Sequence, residues 1–133
     1  MSETVRIARC CCGEASITVA GEPIFNAICH CGSCRRRTGT AFGWSVYFPD
    51  AAIVERAGEA SVYAKGGDAP FERSFCVRCG TTLYWKSATF LAECTGIAGG
   101  CFDDPPAPEP ALSASETQRR HWICLPDAWL KTP

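Results

Sequence analysis

Apolar and polar residues alternate along much of this chain, which is the pattern of half-buried β-strands. The clearest stretch runs from Phe42 to Phe48, where every second residue is large and apolar. No segment keeps a helical period beyond about two turns. The sequence therefore predicts a mainly β protein, with strands at 15–19, 24–28, 42–48, 53–56, 61–64, 71–75, 81–85, 90–95 and 121–125.

One long segment lacks strand character. Residues 103–118 contain Pro105, Pro106, Pro108 and Pro110 with few large apolar side chains, which predicts a proline-rich surface loop. The chain has 133 residues and no internal repeat outside its cysteine-bearing turns. We therefore expect a single domain over residues 1–133.

Charge and composition narrow the classes of partner and compartment. The net charge of −1 gives no reason to expect nucleic acid or an anionic membrane as partner. The N-terminus lacks the apolar segment of a signal peptide, and no apolar run reaches the ~18 residues of a membrane span. A cytoplasmic protein is expected. Thiols stay reduced there, so the odd number of eleven cysteines indicates metal binding rather than disulfides.

Two cysteine pairs have the spacing of a closed zinc site. Cys10 and Cys12 precede a glycine, as do Cys76 and Cys79, and each glycine frees the backbone to turn back. Two such pairs can complete a tetrahedral four-thiolate zinc site. Because residues i and i+2 of an extended segment point to one side, Cys11 should face away from the ion. We therefore predict a structural zinc ion at these four cysteines.

The spacing leaves some alternatives open. The consecutive cysteines 10–12 permit a ligand register shifted by one residue, and the third cluster could supply part of the closed site. Buried free thiols that pack as small hydrophobes are the simplest non-metal interpretation.

That third cluster is Cys29, Cys31 and Cys34, followed by three arginines, 35–37. Three thiolates can cap one face of a zinc ion and leave the fourth position open for water or a substrate atom, as in catalytic sites. The arginines would offset the negative charge and could attract an anionic ligand. Arg35 is the first candidate because it adjoins a ligand, although a solvated turn without a ligand role is an equal alternative.

The remaining histidines and cysteines are weaker candidates. His30 lies between two ligands and should point away from the ion, so a structural hydrogen bond is expected for it. His121 is expected to be structural as well, and neither His30 nor Asp103 stands out as the proton donor. Ordinary burial is expected for the three single cysteines, Cys94, Cys101 and Cys124.

With these motifs the chain resembles the glutathione-dependent formaldehyde-activating enzymes and the related centromere protein V domain proteins. Their signature reads Cys-x-Cys-Gly, then Cys-His-Cys-x-x-Cys-Arg-(Lys/Arg)-x-x-Gly, then Phe-Cys-x-x-Cys-Gly-x-x-Leu. The corresponding segments here are 10–13, 29–39 and 75–83. Weaker similarities follow at 100–105 and at His121 and Trp129, while Ala8-Arg9 departs from the usual glycine-rich lead-in.

The resemblance implies a β-tent zinc-binding fold of short antiparallel sheets and two zinc ions per chain, the second of which can be partly lost. It assigns a structural zinc to Cys10, Cys12, Cys76 and Cys79 and a catalytic zinc to Cys29, Cys31 and Cys34. The implied activity is that of a carbon–sulfur lyase that joins glutathione to formaldehyde. A non-catalytic zinc module that binds a protein or a small thiol is the alternative.

Overall fold

The computed structural model describes residues 3–133, which form a mainly β fold with two sheets and one short α-helix. This confirms the predicted fold class. The helix α1 is Gly32–Thr38, and short 3-10 turns span Asp50–Ala52, Gly99–Cys101 and Glu116–Gln118. The strands are β1 Val5–Arg9, β2 Ser16–Ala20, β3 Phe25–Cys29, β4 Gly43–Pro49, β5 Ile53–Ala57, β6 Ala60–Lys65, β7 Phe71–Cys76, β8 Thr82–Ser87, β9 Cys94–Ala98, β10 Leu112–Ala114 and β11 Leu130–Lys131.

The small sheet has the order β1-β2-β5, and both of its strand pairs are antiparallel. Its side chains alternate as the sequence predicted. Ile17 and Val19 are fully buried, whereas Ser16 and Thr18, which alternate with them, are only half-buried. The buried face of this sheet therefore covers one side of the hydrophobic core.

The large sheet has the order β11-β10-β3-β4-β9-β8-β7-β6. Most of its pairs are antiparallel, but β10 runs parallel to both β3 and β11. The sheets are therefore antiparallel, as the resemblance implied, except at this edge. The chain leaves β9, crosses through the proline-rich segment and returns beside β3, which a tight hairpin could not achieve.

The central strand β4 presents different surfaces on its two faces. Val46 and Phe48 are fully buried in the main core together with Ile17 and Ile97. Tyr47, on the opposite face, packs in a second cluster with Trp85 and Cys94. The strand that the apolar alternation indicated most strongly thus supplies both the core and one wall of the cleft described below.

The proline-rich segment is tied to the body of the protein. The Asn26 side-chain amide donates to the Pro108 carbonyl at 2.8 Å, and Arg6 Nε donates to the Pro106 carbonyl at 3.0 Å. Ala107 between them is buried. Three residues of the predicted loop 103–118 form strand β10, so the loop expectation needs correction at 112–114.

Two strand predictions differ from the structure. Residues 121–125 form no strand but a turn at 121–122 followed by irregular backbone, and the Arg119 guanidinium donates to the Ile123 carbonyl within that segment. The strand predicted from residue 90 begins only at Cys94, because Leu91 has a φ of 48°. The sequence analysis did not predict α1, whose seven residues are too few to establish a helical period. Within residues 3–133, no helix is long and apolar enough to cross a membrane.

Candidate metal centres and active-site cleft

The structure brings together the four cysteines predicted for the closed site. Cys10 and Cys12 lie in the turn after β1, and Cys76 and Cys79 lie in the turn between β7 and β8. Their four sulfur atoms all lie within 4.8 Å of one another. The Cys12 sulfur is 3.6 Å from that of Cys10 and 3.7 Å from that of Cys76. This four-thiol cluster joins an edge of the small sheet to the large sheet.

The two turns share the same local construction. Gly13 and Gly80 have φ angles of 81° and 78°, a left-handed conformation that glycine adopts without a Cβ clash. Backbone N–H groups point at the buried sulfurs, from Ala15 to Cys10 at 3.2 Å and from Arg78 to Cys76 at 3.4 Å. Such donors favour the thiolate form of each cysteine.

The protonation pattern of the four-thiol cluster fits a cation. The Thr81 hydroxyl lowers the pKa of Cys79 to about 5. The backbone N–H of Glu14 opposes the rise at Cys12, yet desolvation and the neighbouring thiols raise the pKa of Cys12 to about 12. At Cys10 desolvation acts to raise the pKa, but hydrogen bonds from the Ala15 backbone and from Cys12 outweigh it and lower the pKa. Thiolates are therefore favoured at two positions, and a further one is opposed by like charge. A divalent ion bound among the sulfurs would remove that opposition, so this donor set fits a structural zinc.

The three-thiol cluster lies where β3 meets α1. Cys29 ends the strand, Cys31 is the N-cap of the helix, and Cys34 lies in its first turn. Their sulfurs also lie within 4.8 Å of one another. The Cys31 sulfur accepts the backbone N–H of Cys34 at 3.4 Å, and the Cys29 thiol donates to Ser115 Oγ at 3.5 Å. The start of the helix therefore fixes the positions of two of the three sulfurs, those of Cys31 and Cys34.

The thiols of this cluster also influence one another's ionisation. The Cys34 thiol, by its hydrogen bond, lowers the pKa of Cys29 to about 5, and that bond in turn raises the pKa of Cys34. Three sulfurs that cannot all ionise alone are a donor set suited to a thiophilic cation. Zinc fits these residues as it fits the four-thiol cluster.

His30 lies in a buried polar chain behind the cluster. Its side chain is fully buried, and its Nε2 is 2.8 Å from Ser113 Oγ. Ser113 donates to Glu116 at 2.6 Å, and Glu116 accepts from Arg119 at 3.0 Å. Burial lowers the pKa of His30. These contacts tie the cysteine turn to β10 and the 3-10 turn after it, which is a structural hydrogen-bonding arrangement.

Two adjoining cavities of about 240 and 360 Å³ lie beside the three-thiol cluster. Cys31 and Cys34 line the smaller one, and Cys29 and Cys34 line the larger one. They share the walls formed by Ser45, Tyr47 and Phe90, and we call them together the cleft. The three-thiol cluster therefore faces a space that can hold a small molecule.

Arg37 lines this cleft, and Arg35 does not. Arg35 Nε donates to the His30 carbonyl at 3.0 Å, whereas Arg37 and Arg73 line the smaller cavity. The helix explains the difference, because residues 34 and 37 share one helical face. Arg35 was the first candidate for a contact with an anionic ligand because the nearest neighbour of a metal ligand was expected to face the site. Arg73 comes from β7, and no sequence signal connected it with the cysteines.

Tyr47 is the hydroxyl-bearing aromatic residue in the wall shared by both cavities. Its oxygen accepts the Trp85 Nε1–H at 3.1 Å, which leaves its own O–H able to donate. Burial raises the pKa of Tyr47, so the phenol is neutral at pH 7. In the sequence, only the position of Tyr47 on the face of β4 opposite the apolar residues could have indicated that it lies in a cleft. Asp103 lies elsewhere, in a cavity beside the four-thiol cluster.

The single cysteines divide into different environments. Cys94 is buried as expected and Cys101 is half-buried, whereas Cys124 is exposed. The expectation of burial is therefore wrong for Cys124, because the backbone around it is irregular and forms no strand. Cys11 is exposed, and its backbone N–H donates to Thr81 Oγ at 3.0 Å.

Comparison with known proteins adds an independent observation. A model of the glutathione-dependent formaldehyde-activating enzyme family matches residues 5–118. This range contains both thiol clusters and the residues that line the cleft beside them, except Thr132. A comparison with curated proteins finds no match. From the extent of the family match we conclude that the chain belongs to the glutathione-dependent formaldehyde-activating enzyme family.

Proposed function

We propose that this protein is a zinc-dependent enzyme that adds a small thiol such as glutathione to formaldehyde or a related aldehyde. The supporting observation is the difference between the two clusters. Four sulfurs can close one tetrahedral site, whereas the three sulfurs of Cys29, Cys31 and Cys34 line a cleft. Three protein ligands leave one zinc position for a substrate atom.

In the proposed reaction the thiol adds across the aldehyde carbonyl. A sulfur–carbon bond forms, the carbonyl π bond breaks, and the proton of the thiol ends on the former carbonyl oxygen. The product from glutathione and formaldehyde is S-hydroxymethylglutathione, which places the enzyme with the carbon–sulfur lyases. Zinc bound at the three-thiol cluster would supply a Lewis acid that lowers the pKa of the substrate thiol.

The protein itself supplies orientation and a proton donor. Tyr47 can donate its O–H to the developing alkoxide, because Trp85 already occupies a lone pair of the phenol oxygen. A donor that is fixed before the reaction stabilises such a charge better than mobile water does. Phe71 and Phe90, which also line the cleft, reduce the access of water to the reacting atoms.

The four-thiol cluster has a structural role in this proposal. An ion there fastens segments that lie 64 residues apart in sequence, from Cys12 to Cys76. Apparent zinc-binding free energies of ~10–16 kcal/mol in small zinc modules exceed the net stability of many domains. We also propose a cytoplasmic location, because the unpaired thiols require a reducing environment.

The direct test measures catalysed exchange between glutathione and its formaldehyde adduct. Zinc-loaded protein is added to the equilibrated mixture, and the exchange rate is read from NMR line shapes. Wild type and Cys124→Ser, a matched control at an exposed thiol, should accelerate the exchange. Cys34→Ser should not. No acceleration by wild type, or equal acceleration by Cys34→Ser, would contradict the proposal.

A non-catalytic zinc module is the second candidate. It is favoured by Ser115, whose hydroxyl lies 3.5 Å from the Cys29 sulfur and could complete a closed site. Sulfur and zinc X-ray absorption with and without glutathione separates the two. A fourth sulfur that enters the zinc shell on addition of glutathione supports the enzyme. An unchanged spectrum supports the module.

A further inference from the structure

The smaller cavity of the cleft has an unbalanced charge. Among residues 3–133, Arg37 and Arg73 are the only charged side chains that line it, and no carboxylate does. We propose that these two arginines form a carboxylate-binding subsite, so that the thiol substrate is selected as an acid with its carboxylate a few bonds from its sulfur. The inference rests on the proposed function and specifies its substrate class.

The Arg37 guanidinium lies beside the Cys34 thiol, and one of its nitrogens, the buried Nη2, has no hydrogen-bond partner within the described residues. The guanidinium carbon lies 4.1 Å from the centroid of the Trp85 ring. A Cβ on Gly43 would collide with Nη2, so the absence of a side chain at residue 43 makes the room that the guanidinium occupies. A buried donor with no acceptor costs free energy. The Arg37 side chain as a whole lines the smaller cavity, so a carboxylate bound there would pair with the charge of the guanidinium.

Arg73 approaches the cavity from the large sheet. Its Nη2 donates to Ser33 Oγ at 2.7 Å, and its guanidinium carbon lies 4.3 Å from the Phe71 ring centroid. Ser33 is in the first turn of α1. The bond therefore fixes Arg73 relative to the helix that carries Cys34 and Arg37. Neither arginine takes part in an ion pair within residues 3–133.

Charge counting supports an anionic ligand. Three thiolates and one zinc ion carry −1 together, and the two arginines carry +2, so the site without substrate keeps one positive charge and attracts an anion. The guanidinium fork of arginine matches the two oxygens of a carboxylate.

The spacing fits a single small molecule. A Cβ placed on Gly43 would meet both Arg37 Nη2 and, at 3.1 Å, Cys34 Cβ, so the guanidinium lies beside a cysteine of the three-thiol cluster. One small thiol acid can therefore reach the cluster with its sulfur and Arg37 with its carboxylate. Glutathione, which carries two carboxylates, satisfies this requirement.

The test compares two ligands that share a thiol and differ in their carboxylates. Binding of glutathione and of glutathione diethyl ester to the zinc-loaded protein is measured by titration calorimetry. Wild type should bind glutathione at least about tenfold more tightly than the ester, the lower range for a charged hydrogen bond. Arg37→Gln and Arg73→Gln should each weaken glutathione binding by about 10- to 100-fold and ester binding by less than about threefold.

Arg36→Gln is the matched control, because Arg36 is an exposed arginine of the same helix outside the cleft lining. It should bind both ligands as wild type does. Equal weakening of both ligands by Arg37→Gln, or no weakening of glutathione, overturns the subsite. If Arg37→Gln does not fold or loses zinc, Arg73→Gln and Arg37→Lys decide by the same ratio.

The two proposals can fail separately. Acceleration of the exchange reaction by wild type with no preference for the acid over the ester refutes the subsite and leaves the enzyme proposal standing. An acid preference that disappears in Arg37→Gln, without any acceleration by wild type, supports the subsite and refutes the enzyme.

Discussion

Replacement of Gly43 by alanine should destabilise the protein through Arg37 alone. The backbone of residue 43 is an ordinary strand, so alanine itself is tolerated there. The added Cβ would collide with Arg37 Nη2 and lie 3.1 Å from Cys34 Cβ. The guanidinium is the mobile partner, and it would have to leave the face of the Trp85 ring.

The expected magnitude follows from these contacts. Displacement of a partly desolvated guanidinium from an aromatic face costs about 0.5–2 kcal/mol. Alanine in place of glycine in a strand returns about 0.5–1 kcal/mol. The free energy of unfolding of Gly43→Ala should therefore fall by up to about 1 kcal/mol once the packing strain is included. In an Arg37→Ala background the space is open, so the same substitution should be neutral or slightly stabilising.

The assay is a double-mutant cycle on the zinc-loaded, reduced protein, unfolded with urea. The coupling between Gly43→Ala and Arg37→Ala should equal the cost of displacing the guanidinium, about 0.5–2 kcal/mol. Any strain against Cys34 occurs in both backgrounds and cancels in the cycle. Gly100→Ala is the control, because a Cβ there meets nothing within 4 Å. A coupling near zero would refute the reasoning, since it would mean that the backbone and not Arg37 absorbs the methyl group.

Three further predictions concern other parts of the structure. Cys76→Ser removes a buried ligand of the four-thiol cluster, so the variant should lose one of two zinc ions in metal analysis and unfold at lower temperature by circular dichroism. The exposed control Cys124→Ser should show neither change. Tyr47→Phe removes the donor in the cleft and should lower the catalysed exchange rate by about 10²-fold with unchanged glutathione affinity; an unchanged rate would exclude Tyr47 as donor. Ser113→Ala leaves the buried His30 Nε2 unpaired and should cost about 1–3 kcal/mol in urea unfolding, whereas exposed Ser61→Ala should change the stability by less than about 0.5 kcal/mol.

Local chemistry could be predicted from the sequence. The spacing of the cysteines and the glycines after them predicted two thiol clusters, because each half-site is confined to one turn, and the family resemblance assigned their members. The alternation along residues 42–48 likewise identified β4 and its buried face. In both cases the determining contacts lie within a few residues along the chain.

The walls of the cleft could not be predicted in the same way. Tyr47, Arg73 and Trp85 come from three strands, and only the sheet order brings them together. Arg37 was missed as the first candidate because Arg35 adjoins a ligand in sequence, whereas helix α1 turns residue 37 and not residue 35 toward the cleft. Strand β10 was missed because its partners β3 and β11 lie far away in sequence.

The short helix α1 couples metal loading to substrate selection. Its seven residues are too few to persist as an isolated helix in water, so its form depends on the contacts at its ends. The same element carries Cys34 and Arg37, and its N-cap is Cys31. Protein that has lost the ion at the three-thiol cluster would lose part of what holds Arg37 over Trp85. Protein without this ion should therefore bind thiol acids weakly and should not compete for them with the zinc-loaded enzyme.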